Sequence, residues 1–142
     1  MFKKIAVAVD GSSFSDHAID CAANLAITYD GKVTLIHAII NPVFAYEGVI
    51  LSDLDDKIEE SGKEILKNSG ERESIRNLRP ESRLVKGHPT SEIVKIVNDE
   101  SYDLLVIGSR GQGSVKAFLL GSVSEKISRF AKCPVLIVKP KV

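Results

Sequence analysis

Cysteine is scarce in this 142-residue chain, and the two that occur are far apart. Cys21 falls in a small-residue helical stretch and Cys133 stands before a proline at a strand start. They form no C-x-x-C pair and no Cys/His cluster, which argues against structural zinc and fits two reduced structural thiols. Excess charge is also lacking: 19 basic and 19 acidic residues balance. That argues against nucleic acid as the main partner, because such domains usually carry a basic face. No run of about 18 apolar residues is present, so no membrane-spanning helix is expected. The N-terminus passes straight into a charged pair and a strand, without an apolar h-region or a small-residue cleavage site, so the expected location is the cytoplasm. Two common phosphate loops are missing. No G-x-x-x-x-G-K-[ST] string occurs, and Gly111-Gln-Gly113 lacks the third glycine of G-x-G-x-x-G and lies late in the chain. His17, His37 and His88 do not form a metal set, and no spacing suggests a Ser-His-Asp or Cys-His arrangement. His37, inside a strand, reads as a satisfied structural histidine, and His88, before Pro89, as a helix-start residue.

What is present is an ordinary soluble composition, 44% hydrophobic and 27% charged, in a length suited to one domain spanning residues 1–142. Residues 2–9 read as a strand whose β-branched Ile5, Val7 and Val9 alternate with Ala6 and Ala8. Apolar character on both faces marks a central parallel strand. Ser13 and Asp16 suit a helix N-terminus, followed by a stripe of Ala18, Cys21, Ala22 and Leu25 and a stop at Asp30-Gly31. A second strand covers 33–40. A long connection follows, helical in pattern over 52–68, with Gly62 and Gly70 weakening that helix. Residues 71–81 are open between helix and loop. A third strand covers 82–86. Pro89 starts a helix with Ile93, Ile96 and Val97 on its apolar face, and Leu104–Ile107 is a buried fourth strand. Alternation of strands and helices predicts a doubly wound α/β domain.

The most telling stretch follows that fourth strand: Gly108-Ser-Arg-Gly111, a loop, then Gly121-Ser122-Val123-Ser124 opening a helix. Glycines let a backbone approach an anion closely. Free N–H groups and the dipole at a helix start favour negative charge. Ser122 and Ser124 can add hydroxyl donors. These features point to phosphate, and so to a nucleotide. The bland reading, in which each glycine is merely a turn or cap, explains them singly but not together.

The G-x2-G-x9-G-S pattern of Gly108, Gly111, Gly121 and Ser122 resembles that of the ATP-binding branch of the universal stress protein family. Lys4–Asp10, Val33–Ala38, Gly87–Ile93, Asp103–Gly111 and Cys133–Val138 resemble further segments of that family in the right order; roughly residues 41–82 do not. The resemblance implies an open sheet of five parallel strands in the order 3-2-1-4-5, with helices on both faces. Strands 1 and 4 are then neighbours at a topological switch point, where such sheets bind ligands. Asp10 ends one and Gly108 the other, so both features meet in one crevice.

By the same resemblance Asp10 lies beside the nucleoside, with Ala8 and Val9 lining the wall and the Ala38 backbone meeting the adenine edge. Taken alone, Asp10 would read as a turn residue or cap. Ile107, Gly108, Arg110, Gly111, Gly121, Ser122, Val123 and Ser124 complete the expected site. An exposed loop arginine such as Arg110 is more often solvated than ligand-bound, and Lys116 carries the same caution; Gly113 is read as loop flexibility. ATP is the expected ligand, with ADP and AMP as alternatives, and Mg²⁺ or Mn²⁺ is expected only through the phosphates, near Asp10. No catalytic residue is assigned. The expected role is a nucleotide-dependent switch in stress response with little or no hydrolysis. A slow ATPase or adenylyl-transfer enzyme and a nucleotide-free interaction module are the alternatives. Residues 134–138 form an apolar edge strand that needs cover, framed by Pro134 and Pro140, and a homodimer through this strand is expected. An unknown protein partner is expected too, but neither nucleic acid nor membrane.

Overall fold

A computed structural model describes residues 1–40, 52–111 and 120–140. Gly113 and Lys116, considered above, lie outside the described residues, as do Phe44 and Tyr46 in the long connection. The elements run β1 (Lys4–Ala8), α1 (Ser13–Tyr29), β2 (Lys32–Ile39), α2 (Ser52–Gly70), a 3₁₀ turn (Arg76–Leu78), β3 (Glu81–Lys86), α3 (Pro89–Asp99), β4 (Leu104–Gly108), α4 (Ser122–Phe130) and β5 (Val135–Val138). All strand pairs are parallel, in the order β3-β2-β1-β4-β5. The sheet order expected from the resemblance is therefore the observed one.

β1 is central because its residues are apolar on both faces. Ile5, Val7 and Val9 join one core with Ala18, Ile19, Ala22 and Leu66, from α1 and α2. Ala6 and Ala8 join the other with Ile93, Ile96, Val97 and Ile127, from α3 and α4. Two-residue alternation thus divides β1 between two helical layers. Small residues on α1 let that helix lie close to the sheet: Ala18 and Ala22 are wholly buried and Ala23 and Ala26 nearly so.

Local details correct several sequence expectations. The α1 cap is Ser12, not Ser13; its hydroxyl oxygen accepts the Ser15 N–H at 3.3 Å. The left-handed residue closing α1 is Asp30 (φ 52°), not Gly31. Gly31 is needed for space instead, since a Cβ there would lie 2.4 Å from the Phe2 carbonyl oxygen. α2 runs through Gly62 and ends at Gly70; at Gly62 tertiary packing outweighs propensity. A Cβ on Gly62 would lie 2.8 Å from Leu84 Cδ1 and 3.0 Å from Ile39 Cγ2. β5 begins at Val135, after Pro134 rather than at Cys133.

The charged stretch after α2 is a turn tied to α1. The Arg72 guanidinium donates to both Asp20 oxygens at 2.9–3.2 Å and pairs with Asp16 at 3.3 Å, above a wholly buried Ile75. Burial pushes the Asp20 carboxyl up, but hydrogen bonds from Arg72 and Ser74 and the Arg72 charge outweigh it, holding the group below its ordinary value. A carboxyl depressed in the fold contributes stability above its unfolded value, about 3.8, and loses it as pH falls through the folded one. Asp20→Asn should therefore flatten the fall of Tm between pH 5 and pH 3, by less than about 1 kcal/mol because the pair is partly exposed. An acid profile identical to that of wild type would refute the assignment.

Candidate functional site

A cavity of about 540 Å³ opens at the C-terminal ends of β1, β2 and β4, a size usual for small-ligand sites. Every residue assigned to the site from sequence lines it. β1 and its exit supply Ala8, Val9 and Asp10; β2 supplies Ala38; β4 and its exit supply Ile107, Gly108, Arg110 and Gly111; α4 and its cap supply Gly121, Ser122, Val123 and Ser124. Sequence reasoning did not place Ser15, Ile40, Pro89 or Ile93 there, nor His37, which it read as structural. No motif marks them. Only the sheet order, which brings the first turns of α3 over the crevice, could have found Pro89 and Ile93.

At the β1 exit, Gly11 adopts φ +82°, which a side chain would disfavour, and the chain turns into α1. Asp10 Oδ1 accepts both the N–H (2.9 Å) and the hydroxyl of Ser12. This fixes the carboxylate at the cavity wall. Its Oδ2 lies where Gly111 has no side chain: a Cβ on Gly111 would sit 2.4 Å away. The Arg110 guanidinium stacks 4.8 Å from the centre of the Phe14 ring, a cation–π contact at the head of α1.

The start of α4 faces the same space. Gly121 is its N-cap, at φ −64° and ψ 152°, with no side-chain cap. The first intrahelical bond is Glu125 N–H to Gly121 C=O at 2.9 Å, so the N–H groups of Ser122, Val123 and Ser124 have no intrahelical acceptor. Ser122 is exposed. Ser124 is buried, and its hydroxyl donates to the Gly108 carbonyl at 2.7 Å. The Ser124 proton is thereby committed to β4; what the residue offers the cavity is its backbone N–H.

His37 Nδ1 lies 2.7 Å from the Val9 carbonyl oxygen. A carbonyl only accepts, so the ring nitrogen donates. The satisfied histidine expected from sequence is present, and it also borders the cavity. Among the described residues, no group of three or more His, Cys, Asp or Glu could hold a metal ion. The cavity wall there carries one carboxylate, Asp10, and one guanidinium, Arg110.

The chain is therefore a doubly wound α/β protein with its cavity at the switch point, the place where sheets of this kind bind ligands, and with an uncapped helix start in the wall. The chain belongs to the universal stress protein family, whose model, described as the Universal stress protein family, matches residues 1–139. Universal stress protein YxiE of Bacillus subtilis is similar at 31% identity over 148 residues, covering 98% of this chain and all of that protein. Hypothetical protein MJ0577 shares the fold with a TM-score of 0.84 at 31% identity, over 99% of this chain and 98% of that one. A universal stress protein solved in complex with cAMP gives a TM-score of 0.71 at 27% identity, over 97% of each chain. Among the described residues, no helix is long and apolar enough to cross a membrane.

Gly108 tests the packing at the site separately from ligand binding. A Cβ there would lie 2.8 Å from Phe14 Cβ and 2.9 Å from its backbone carbonyl, and backbone has little room to yield. Gly108→Ala should cost about 1–3 kcal/mol, read as a lower urea midpoint at unchanged slope. A midpoint equal to that of wild type would show that α1 does not pack as described.

Proposed function

We propose that this chain, acting as one domain, is an ATP-binding regulatory protein whose occupancy, rather than turnover, carries the signal. The observation that supports it most is the uncapped α4 N-terminus facing Asp10 across a cavity at the switch point. In this reading the phosphates lie against the N–H groups of Ser122, Val123 and Ser124, favoured by the helix dipole, and Arg110 leaves Phe14 to neutralise part of their charge. The nucleoside lies between Ala8, Val9 and Ile107 on the sheet side and Pro89 and Ile93 on the helix side. Asp10 borders the ribose, and the Ala38 backbone meets the adenine edge. The binding of cAMP by the 27%-identical universal stress protein supports an adenine ring with phosphate as the ligand class.

Mg²⁺ or Mn²⁺ fits as a companion of the phosphates rather than as a resident ion. Mg²⁺ sites commonly use one or two carboxylates plus substrate phosphates, and Asp10, held by Ser12 through Oδ1, is the carboxylate that would serve. The metal would supply charge neutralisation. Slow or undetectable hydrolysis is part of this proposal: a water-attacking mechanism needs a group to orient water and charge to stabilise the transition state, and among the described residues of the wall none is assigned the first task. The proposed setting is the cytoplasm, in a stress response, as a homodimer with an unidentified protein partner.

ATP should raise Tm by a saturating amount, as any ligand of the native state does. Gly121→Val should abolish the rise while remaining folded. The added carbons would begin 3.2 Å from Arg110 Cα and 3.3 Å from the Ser109 carbonyl, at the helix start where phosphate would lie. A wild-type ATP titration of folded Gly121→Val, or steady phosphate release at rates usual for enzymes, would overturn the assignment.

The dimer is tested independently. β5 is a sheet edge, with Leu136 exposed at 38%. Antiparallel pairing of two copies would satisfy both edges and close the assembly. Leu136→Lys should convert a dimer into a monomer or cause precipitation, measured by light scattering at tens of micromolar. A monomeric wild type at that concentration would show that the edge is protected in another way.

A further inference from the structure

We propose that His37 is a positioning residue for base selection: by taking the Val9 carbonyl it keeps the Ala38 N–H and C=O out of the sheet and free to pair with the edge of an adenine ring. This rests on the nucleotide reading above and adds what keeps the reading edge available.

In a parallel ladder alternate residues of a strand turn their N–H and C=O toward a given neighbour, and the bonds are evenly spaced. Lys32 N–H donates to Lys3 C=O at 2.8 Å at one end of the β1–β2 ladder, and Val9 N–H donates to Ile36 C=O at 2.9 Å at the other. With Ala8 opposite Ile36, this parity turns Thr34, Ile36 and Ala38 toward β1. The next rung would be Ala38 N–H to Val9 C=O. Among the described residues that rung is not made; Val9 C=O accepts from His37 Nδ1 at 2.7 Å instead. The other edge of β2 does not absorb the Ala38 groups. Gly87 N–H donates to Ile39 C=O at 2.8 Å, so the odd-numbered residues of β2 pair with β3. Ala38 is only half-buried and lines the cavity.

An unmade rung thus leaves a donor and an acceptor side by side at the ligand space. Adenine offers the matching pair, N1 accepting and the exocyclic amino group donating. Guanine offers the same two positions with the roles exchanged, so in one pose it sets donor against donor and acceptor against acceptor. The backbone, with no particular side chain at position 38, would then select the base. His37 acts only through the Val9 carbonyl.

Three variants test this: His37→Phe, which keeps a ring without a donor; His37→Ala, for use if the first does not fold; and His37→Asn, which keeps an N–H donor at the δ position. In ligand-free wild type, NMR-resolved amide exchange at Ala38 should be fast. In His37→Phe or His37→Ala the rung to Val9 should close and slow that exchange at least tenfold, whereas His37→Asn should behave as wild type. Calorimetric preference for ATP over GTP, expected to be tenfold or more in wild type, should fall toward unity in the donor-free variants and recover in His37→Asn. Unchanged Ala38 exchange in the donor-free variants, or retained ATP preference, overturns the role of His37 whether or not nucleotide binds well. Binding of neither nucleotide by wild type, with the exchange pattern as stated, instead overturns the nucleotide reading of the cavity and with it the purine edge as the occupant.

Discussion

Two carbonyls at one level of the sheet, Val9 at the end of β1 and Gly108 at the end of β4, are each taken by a side chain, and the cavity opens beside them. Parallel ladders extend as long as backbone groups face one another, because each rung satisfies a donor and an acceptor that would otherwise need water. Here a side chain intervenes on each side. His37 takes the Val9 carbonyl at 2.7 Å, and the Ser124 hydroxyl takes the Gly108 carbonyl at 2.7 Å. Each gives a carbonyl at a strand end a side-chain partner anchored on another element, so neither carbonyl is left unpaired where the cavity opens. An unsatisfied buried carbonyl costs about 1–3 kcal/mol, enough to favour zipping if neither side chain were there. Ser124 also fixes where α4 begins relative to β4. The position of the uncapped helix start is therefore a consequence of the same device.

The glycine pattern was the most legible part of the site, and its physical basis differs from the one read in sequence. Gly108 makes room for the Phe14 backbone, Gly111 for the Asp10 carboxylate and Gly121 for the Arg110 backbone. At all three positions the first occupant of the space is protein. Spacing between glycines is set by which elements must touch: β4 against α1, the β4 exit against the β1 exit, and the α4 cap against the loop. A pattern recognised as phosphate-binding is thus a packing pattern that assembles the wall. Phosphate, in the proposed role, meets the N–H groups of the first turn of α4 that have no intrahelical acceptor.

Strand and helix alternation was readable because period-two and period-3.6 patterns reflect burial directly. β1 and β4, apolar on both faces, could only be central. Sheet order was not readable from periodicity and came from resemblance, since pairing partners are chosen by tertiary contacts. The caps were misplaced by one residue at both ends of α1 because Ser12, Ser13, Asp30 and Gly31 are all competent there, and tertiary crowding decides among them. Gly62 shows the same limit: propensity argued against a helix, and close packing on Leu84 and Ile39 required the glycine. His37, Ala38, Pro89 and Ile93 could not be read as one wall, since backbone groups and apolar lining leave no signature of residue type.

In the proposed role, occupancy has to reach a surface that another molecule can read, and the hydrogen bonds supply a short route. Ser109, buried to 6% exposure, accepts the Gly121 N–H through its carbonyl at 2.7 Å and donates its own N–H to the Val138 carbonyl at 2.9 Å. One residue therefore joins the α4 cap to the edge strand. A ligand shifts an equilibrium only by its differential affinity for two arrangements. A phosphate held by the N–H groups after Gly121 would favour whichever arrangement keeps that cap in place, and Ser109 makes the cap and the end of β5 parts of one hydrogen-bonded chain. The α4 cap and the edge strand are in this sense joined through one residue, and in the proposed role that is the link along which occupancy would be felt at the edge.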